Sequence, residues 1–241
     1  MNYKALASCI AFCAAVTGPL LAADQSIARP LEASSTEHVK FASGGAIRFD
    51  KSFGDLYVEG WDQPEVEMTL IKSFESYQPP KDASERLEGV QFTTEHVSPS
   101  ELVIGTIIPP HPFFRHPFGG KGPVTVRYEL HVPRSTHLVI HHGGGNILIG
   151  NVTGDIEATN REGDIVVMLP APGPYAIDAQ SKMGTVASDF AGKGHMRYFI
   201  GDRFASADEK TPHKIFLRTG FGGVTVKEVP REALLPETAT K

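Results

Sequence analysis

The stretch 145–167 reads GNILIGNVTGDIEATNREGDIVV and contains one short unit three times. Each unit is a glycine, then asparagine or aspartate, then aliphatic residues at alternate positions. Looser copies follow as GTVA at 184–187 and GVTV at 223–226. Alternation of apolar and polar residues is typical of a strand with one buried face, and glycine allows a tight corner before it. The unit therefore predicts a corner followed by a short strand.

The spacing of the units predicts how the strands stack. Gly145 and Gly163 are 18 residues apart, and Gly163 and Gly184 are 21 apart. A coil of that length holds two strands and two corners, so strands nine residues apart would lie in opposite sheets and successive coils would stack. We therefore predict an all-β, single-domain fold of solenoid-like stacked strand repeats, with a β-helix or flattened two-sheet architecture. The alternative is an antiparallel β-sandwich, whose hairpins also give nine-residue spacing.

The same alternation continues outside this stretch. Further strands are predicted at 47–50, 55–59, 66–71, 90–93, 102–104, 124–132 and 138–140. The single helix predicted is one short turn from Asp82 to Leu87. The segment from Gly192 to Thr211 is predicted to be a loop. Glycine and proline together make up 24 + 18 = 42 of the 241 residues, which favours strands and turns over long helices.

Residues 1–23 have the pattern of a secretory signal peptide. Lys4 is followed by an apolar run that ends in small residues at Ala22 and Ala23. Both cysteines, Cys9 and Cys13, fall inside this segment, so the mature chain is predicted to contain no disulfide and no thiol site. We therefore expect an exported protein, located in the periplasm or on the cell surface.

The mature chain is predicted to have three parts. They are a polar, flexible leader at 24–40, a β-repeat domain at 41–228 and a polar tail at 229–241. The formal net charge of −5 gives no basic footprint, so no nucleic-acid partner is expected. No second long apolar run follows the signal peptide, so no transmembrane span is expected in the mature chain.

Polar residues of the repeats offer three chemical interpretations. Asp155 and Asp164 follow corner glycines, which is compatible with calcium ligands or with the carboxylates of a polysaccharide-active β-helix enzyme. The third interpretation is that both carboxylates accept hydrogen bonds from backbone N–H groups of the turns. His141 and His142 are adjacent in a strand and should point to opposite faces, which argues against one shared metal site. We expect no catalytic residue, no cofactor and no metal.

The segment 109–120, PPHPFFRHPFGG, differs most from the rest of the chain. Its prolines exclude it from a central strand, so it is predicted to be a loop. Aromatic residues in a loop either pack on the domain or form a contact patch. Phe113, Phe114, His116 and Phe118 are the candidates for contact with a partner or a membrane surface.

The segments 138–165, 54–62 (GDLYVEGWD) and 182–190 (KMGTVASDF) resemble the bacterial “putative adhesin” β-strand-repeat family, a domain family of unknown function. The resemblance covers most of residues 44–227, and the insertion at 109–122 departs from the family pattern. It implies an extracytoplasmic β-repeat domain without catalysis.

We therefore expect a non-enzymatic exported protein with an adhesin-like binding or structural role in the cell envelope. An envelope protein or a polysaccharide is the expected partner. The alternatives are a periplasmic scaffold or signalling-associated domain, and a polysaccharide-active β-helix enzyme.

Overall fold

The structure, a computed structural model, describes residues 31–74, 81, 83–107, 124–171, 173, 175–197, 200–206 and 211–230. Within these residues lie one helix, α1 (Ala83–Glu88), and 17 strands. The strands are β1 (Leu31–Lys40), β2 (Ala46–Ser52), β3 (Asp55–Trp61), β4 (Glu65–Phe74), β5 (Gln91–Ser98), β6 (Glu101–Ile107), β7 (Val124–Pro133), β8 (His137–His142), β9 (Ile147–Gly150), β10 (Ile156–Glu162), β11 (Ile165–Ala171), β12 (Tyr175–Met183), β13 (Val186–Ser188), β14 (Gly192–Arg197), β15 (Gly201–Ser206), β16 (His213–Phe221) and β17 (Val224–Pro230). The predicted signal peptide lies outside the described residues, and that assignment stays a prediction.

The strands form two large mixed sheets that share one core. Sheet A has the order β1-β4-β7-β3-β9-β11-β17-β13, and sheet B has the order β14-β15-β12-β16-β10-β8-β2-β6-β5. Inward-facing aliphatic and aromatic side chains of both sheets form a single buried cluster. The prediction of an all-β, flattened two-sheet architecture is confirmed.

Six coils build the centre of the molecule, and each coil places one strand in sheet B and the following strand in sheet A. Their order in space is β6–β7, β2–β3, β8–β9, β10–β11, β16–β17 and β12–β13, with parallel pairing between neighbours. Ile147 pairs with Ile165 in sheet A, and Ile156, between them in sequence, lies in sheet B. The predicted alternation of strands between opposite sheets is therefore observed.

The last coil of the chain is inserted between two earlier ones. In sheet A, Ile165 and Val186 do not pair with each other, because both pair with Val224. In sheet B, Ile215 lies in the same way between Ile156 and Ile177. The strands after Gly163 and Gly184 therefore lie in the same sheet, as predicted for units 21 residues apart, but β17 separates them, so they do not stack directly. The strands of these coils present the same backbone edge and carry an aliphatic residue at the same register position. The spacing of the units along the chain therefore does not determine which coils are neighbours.

Part of the predicted flexible leader is an edge strand. Residues 31–40 form β1, which pairs antiparallel with β4 from Leu31 opposite Phe74 to Lys40 opposite Glu65. Most side chains of this strand are exposed, so it lacks the apolar alternation that marks a half-buried strand. Backbone hydrogen bonds to β4 hold it in place, and these leave no signature in the sequence.

The segment 192–211, predicted as a loop, contains an antiparallel hairpin. Strands β14 and β15 pair from Gly192 opposite Ser206 to Arg197 opposite Gly201, and β15 pairs in turn with β12. The hairpin is polar and extends sheet B at its edge, so few of its side chains reach the core. Met196 is exposed rather than packed against the domain.

The predicted short helix is present as α1. Its buried Ala83 and Leu87 pack with Phe74 in a small cluster beside the main core. Next to it, the buried Lys72 donates a hydrogen bond of 2.9 Å from Nζ to the carbonyl oxygen of Val90. Burial lowers the pKa of Lys72, against the opposing charge of Glu88.

Five glycines with positive φ stack at the corner where five of the six coils pass from sheet B to sheet A. In spatial order this glycine corner ladder consists of Gly54, Gly145, Gly163, Gly222 and Gly184, with φ between 108° and 149°. A Cβ atom on any of the last four would overlap the backbone carbonyl oxygen of the preceding glycine. Glycine is therefore required at the corner for two reasons, the backbone conformation and the close approach of neighbouring coils.

A row of buried polar side chains lies behind the glycine corner ladder. This buried polar ladder consists of Ser52, His142, Asn160, Thr219 and Ser181, which stand in register across sheet B. The bonds from its side chains to corner carbonyl oxygens are His142 Nε2 to Gly54 (2.7 Å), Asn160 Nδ2 to Gly145 (2.8 Å), Thr219 Oγ1 to Gly163 (3.0 Å) and Ser181 Oγ to Gly222 (2.7 Å). Buried carbonyl groups need hydrogen-bond donors. The buried polar ladder supplies these donors to the carbonyl oxygens of the corner glycines.

His142 makes the fold sensitive to acid. Burial lowers the pKa of His142 and outweighs its hydrogen bonds to the backbone of Gly54 and Gly144. An unfolded histidine titrates near pH ~6.5, so below that pH the unfolded chain binds a proton that the native chain does not. The free energy of unfolding should therefore fall as the pH drops below ~6.5 towards the lower native pKa.

The measurement is urea unfolding at a series of pH values between about 8 and 5. His142→Asn keeps a donor towards Gly54, as Asn160 does for Gly145, and should show a shallower loss of stability on acidification than the wild type. His96→Asn, at an exposed histidine, serves as the control and should follow the wild-type curve. Parallel pH curves for the wild type and His142→Asn would rule out this histidine as the acid-sensitive group.

Candidate binding groove on sheet B

The outer face of sheet B has an open groove across β10, β16 and β12. The register between the paired strands brings Arg161, Gly220 and Lys182 to the same height, with the glycine in the middle. The groove has a volume of about 660 Å³. Gly220 leaves its floor open between the two long cationic side chains.

Exposed apolar side chains border the groove at its corner end. Phe221 and Met183 pair in register, one residue beyond Gly220 and Lys182, and are 55% and 46% exposed. Arg218 borders the opposite end. We call this site the basic groove and define it by Arg161, Lys182, Arg218, Met183, Phe221 and the floor residue Gly220.

The lining of the basic groove carries three cations and no carboxylate. Arg161 and Lys182 are exposed, and neither makes an ion pair with any of the residues that the structure describes. The whole chain has a net charge of −5, so this concentration of positive charge is local. Such a surface favours a negatively charged group on its ligand.

Arg218 is held in place by two neighbours. Its Nη2 donates to Asp178 Oδ2 at 2.8 Å, and its guanidinium lies 3.7 Å from the centre of the Phe216 ring. Asp178 also accepts two hydrogen bonds from Arg203, at 3.1 and 3.0 Å. Burial by itself raises the pKa of Asp178, but the bonds and charges of the two arginines outweigh it and hold that pKa below its usual value. Asp178 is therefore a charged anchor that orients Arg218 at the end of the groove.

The aspartates singled out in the sequence have backbone partners. Asp164 Oδ1 accepts from the N–H of Gly223 at 2.7 Å, and Asp155 Oδ1 accepts from the N–H of Lys214 at 2.9 Å. Each carboxylate therefore accepts a backbone N–H, as the third interpretation expects, but from a residue of the neighbouring coil and not from its own turn.

His141 and His142 point to opposite faces of β8, as predicted. His142 is buried in the polar ladder, whereas His141 is exposed and contacts Asp50 Oδ1 at 2.6 Å from the opposite face of β8. Among the residues that the structure describes, no three histidines, cysteines or acidic residues are grouped so as to hold a metal ion. Within the same part of the chain, no helix has the length and apolar character needed to cross a membrane.

The predicted contact residues Phe113, Phe114, His116 and Phe118 lie outside the described residues, and their role stays a prediction. The sequence interpretation missed the basic groove. The inserted last coil places Gly220 between Arg161 and Lys182 and adds Arg218, so the make-up of the groove depends on an order of coils that the sequence spacing does not give. One signal was available, since Arg161, Lys182 and Gly220 each stand two residues before a glycine of the corner ladder.

No family model matches the sequence, and no curated protein matches it either. Among solved structures, the chain is similar to a “putative cell adhesion protein” from Clostridium sporogenes, with 12% identity over 83% of this chain and 100% of that chain, at a TM-score of 0.49. It is also similar to a “putative adhesin” from Bacteroides fragilis, with 10% identity over 82% of this chain and 97% of that chain, at a TM-score of 0.26. A “putative adhesin” from Parabacteroides merdae has 12% identity over 81% of this chain and 96% of that chain, also at 0.26. Likenesses at this level carry no information about a ligand.

Proposed function

We propose that this chain is a non-enzymatic, exported binding protein of the cell envelope that holds an anionic group of its ligand in the basic groove. The observation that supports this most directly is the meeting of three cations from β10, β12 and β16 on one rigid sheet, with no carboxylate in the lining. Strand pairing fixes the backbone positions of these cations, and Asp178 and Phe216 also orient the Arg218 side chain.

The side chains around the groove suit binding rather than proton transfer. The groove lining contains three basic side chains, the apolar Phe221 and Met183, and neither a carboxylate nor a histidine. General acid–base catalysis needs a group whose pKa lies near the working pH. This supports a binding role over the polysaccharide-active enzyme.

The test of this role is sedimentation of the purified protein with an envelope fraction from cells that lack it. We expect the wild type to pellet with the fraction and the double variant Arg161→Glu/Lys182→Glu to lose binding by about tenfold or more. Lys40→Glu/Lys227→Glu makes the same change in net charge on exposed lysines of sheet A and should bind like the wild type. Equal loss in both double variants would mean that only net charge matters and would overturn the assignment of the groove.

Protease shaving of intact cells separates an adhesin from a periplasmic scaffold. If protease removes a tagged chain from intact cells, the ligand lies outside the cell and an adhesin-like role follows. If the chain is cut only after the outer barrier is opened, the partner lies in the periplasm and the scaffold role takes precedence.

A further inference from the structure

Exposed apolar side chains form a row along the glycine corner, beside the basic groove. They are Phe53, Phe221, Met183 and Ile200, with exposed fractions of 52%, 55%, 46% and 60%, and Gly144 and Glu162 lie between Phe53 and Phe221. Single exposed apolar residues are ordinary on protein surfaces, but a row along one edge marks a contact site. We call this row the apolar edge.

The packing of the corner explains why these side chains stay exposed and aligned. Phe53 lies directly over Gly143, where a Cβ atom would come within 2.5 Å of the Phe53 ring. Phe221 and Met183 are paired neighbours, and the carbonyl group of Ile200 accepts a hydrogen bond of 3.0 Å from the N–H of Gly184. Four strand spacings separate the coil of Phe53 from that of Met183, which makes the edge about 19 Å long at ~4.8 Å per strand. Side chains on a straight edge of this length can enter one flat surface together.

The charges are arranged on one side of the apolar edge. Arg161 directly precedes Glu162, and Lys182 directly precedes Met183. Both cations lie on the outer face of sheet B. Asp55 and Asp164 lie beyond the corner glycines, at the start of the sheet A strands, where each accepts a backbone N–H. Glu162 is paired with Phe221 and is the one carboxylate within the row itself.

We propose that the apolar edge and the basic groove together dock the protein on an anionic phospholipid surface. The apolar side chains enter the boundary between headgroups and acyl chains, and Arg161 and Lys182 contact lipid phosphates from the sheet B side. Lipid accounts better than an acidic polysaccharide for the features of this site, because methionine and isoleucine side chains have no polar group to offer a sugar. This inference rests on the proposed binding role of the same groove and names its ligand.

The experiment is co-sedimentation of the full exported chain with vesicles of phosphatidylcholine, with and without about 30 mol% phosphatidylglycerol. We expect binding to the anionic vesicles, at least about tenfold weaker binding to pure phosphatidylcholine, and release at high salt. Arg161→Glu/Lys182→Glu and Phe221→Ser/Met183→Ser should each weaken binding by about tenfold or more. Val97→Ser/Ile107→Ser removes two equally exposed apolar side chains from β5 and β6 at the opposite edge of sheet B; it is the control for the second variant and should bind like the wild type.

Glu162→Gln provides a test by gain of binding. Removal of the carboxylate from the apolar edge should raise the affinity for anionic vesicles about threefold to tenfold, a result that damage to the fold does not produce. Thermal melting of each variant checks that it is folded. Equal binding to both kinds of vesicle, or no binding to either, would overturn the inference.

A binding assay with an acidic polysaccharide distinguishes a lipid ligand from a polysaccharide ligand. Binding of polygalacturonate that is lost in Arg161→Glu/Lys182→Glu but kept in Phe221→Ser/Met183→Ser would assign the groove to a polysaccharide and exclude the membrane. If the chain pellets with the envelope fraction but not with vesicles, the membrane inference fails and the proposed binding role stands. If it pellets with neither, both fail.

Discussion

Gly163→Ala is expected to lower the free energy of unfolding by about 2–5 kcal/mol. The residue has φ of 116°, which costs an alanine about 1–2 kcal/mol. In addition, the new methyl group would overlap the carbonyl oxygen of Gly145 in the neighbouring coil, and overpacking of this kind costs about 1–3 kcal/mol. Urea unfolding followed by circular dichroism measures the sum.

Gly44→Ala separates the two contributions. Gly44 also has positive φ, of 82°, but no atom lies within 4 Å of the position that its Cβ would take. Gly44→Ala should therefore lower the free energy of unfolding only by the cost of the positive φ, about 1–2 kcal/mol. If Gly44→Ala and Gly163→Ala lost the same free energy, contact between coils would not contribute at the corner.

Phe49→Ala is expected to cost about 3–5 kcal/mol, as large-to-small changes in a packed core do. Phe49 is 1% exposed and lies in β2, within the main buried cluster. Its ring meets the ring of Tyr128 edge to face, with centroids 5.2 Å apart. Truncation to alanine removes this contact and leaves a cavity that the surrounding strands cannot fill.

Phe53→Ala is the matched control for Phe49→Ala, because it makes the same chemical change four residues away. Phe53 is 52% exposed, so its truncation should cost less than about 1 kcal/mol. The difference in stability is measured by urea unfolding. The midpoints of the two variants are compared after checking that the dependence of the unfolding free energy on urea concentration is the same for both. A loss of several kcal/mol at Phe53 would mean that its packing over Gly143 belongs to the core and not to a contact surface.

Much of the fold could be predicted from local pattern. The alternation of apolar and polar residues in 145–167 indicates which side chains face inwards. The interval between Gly145 and Gly163 indicates the length of one coil. Pairing of Ile147 with Ile165 follows from these two facts. The preference of aspartate for turns likewise predicts Asp164 at a corner, but its hydrogen-bond donor, the N–H of Gly223, is 59 positions away and does not follow from that preference.

The features that escaped prediction depend on neighbours distant in sequence. Strand β1 and the hairpin β14–β15 are held by backbone bonds at sheet edges, where side chains carry little apolar pattern. The basic groove depends on the order of coils, since Arg161 and Lys182 face each other only with Gly220 between them. Repeats with the same register do not encode that order.

The inserted last coil also determines when the protein can fold during its synthesis. In a regular solenoid, each coil docks on the one made just before it. Here β12–β13 must wait for β16–β17, whose Ile215 pairs with Ile156, a residue made 59 positions earlier. Contacts of such long range slow folding and make it cooperative. We therefore expect the C-terminal third of the domain to fold in one late step, so a nascent chain lacking residues 213–230 would expose unpaired edges on β10 and β11.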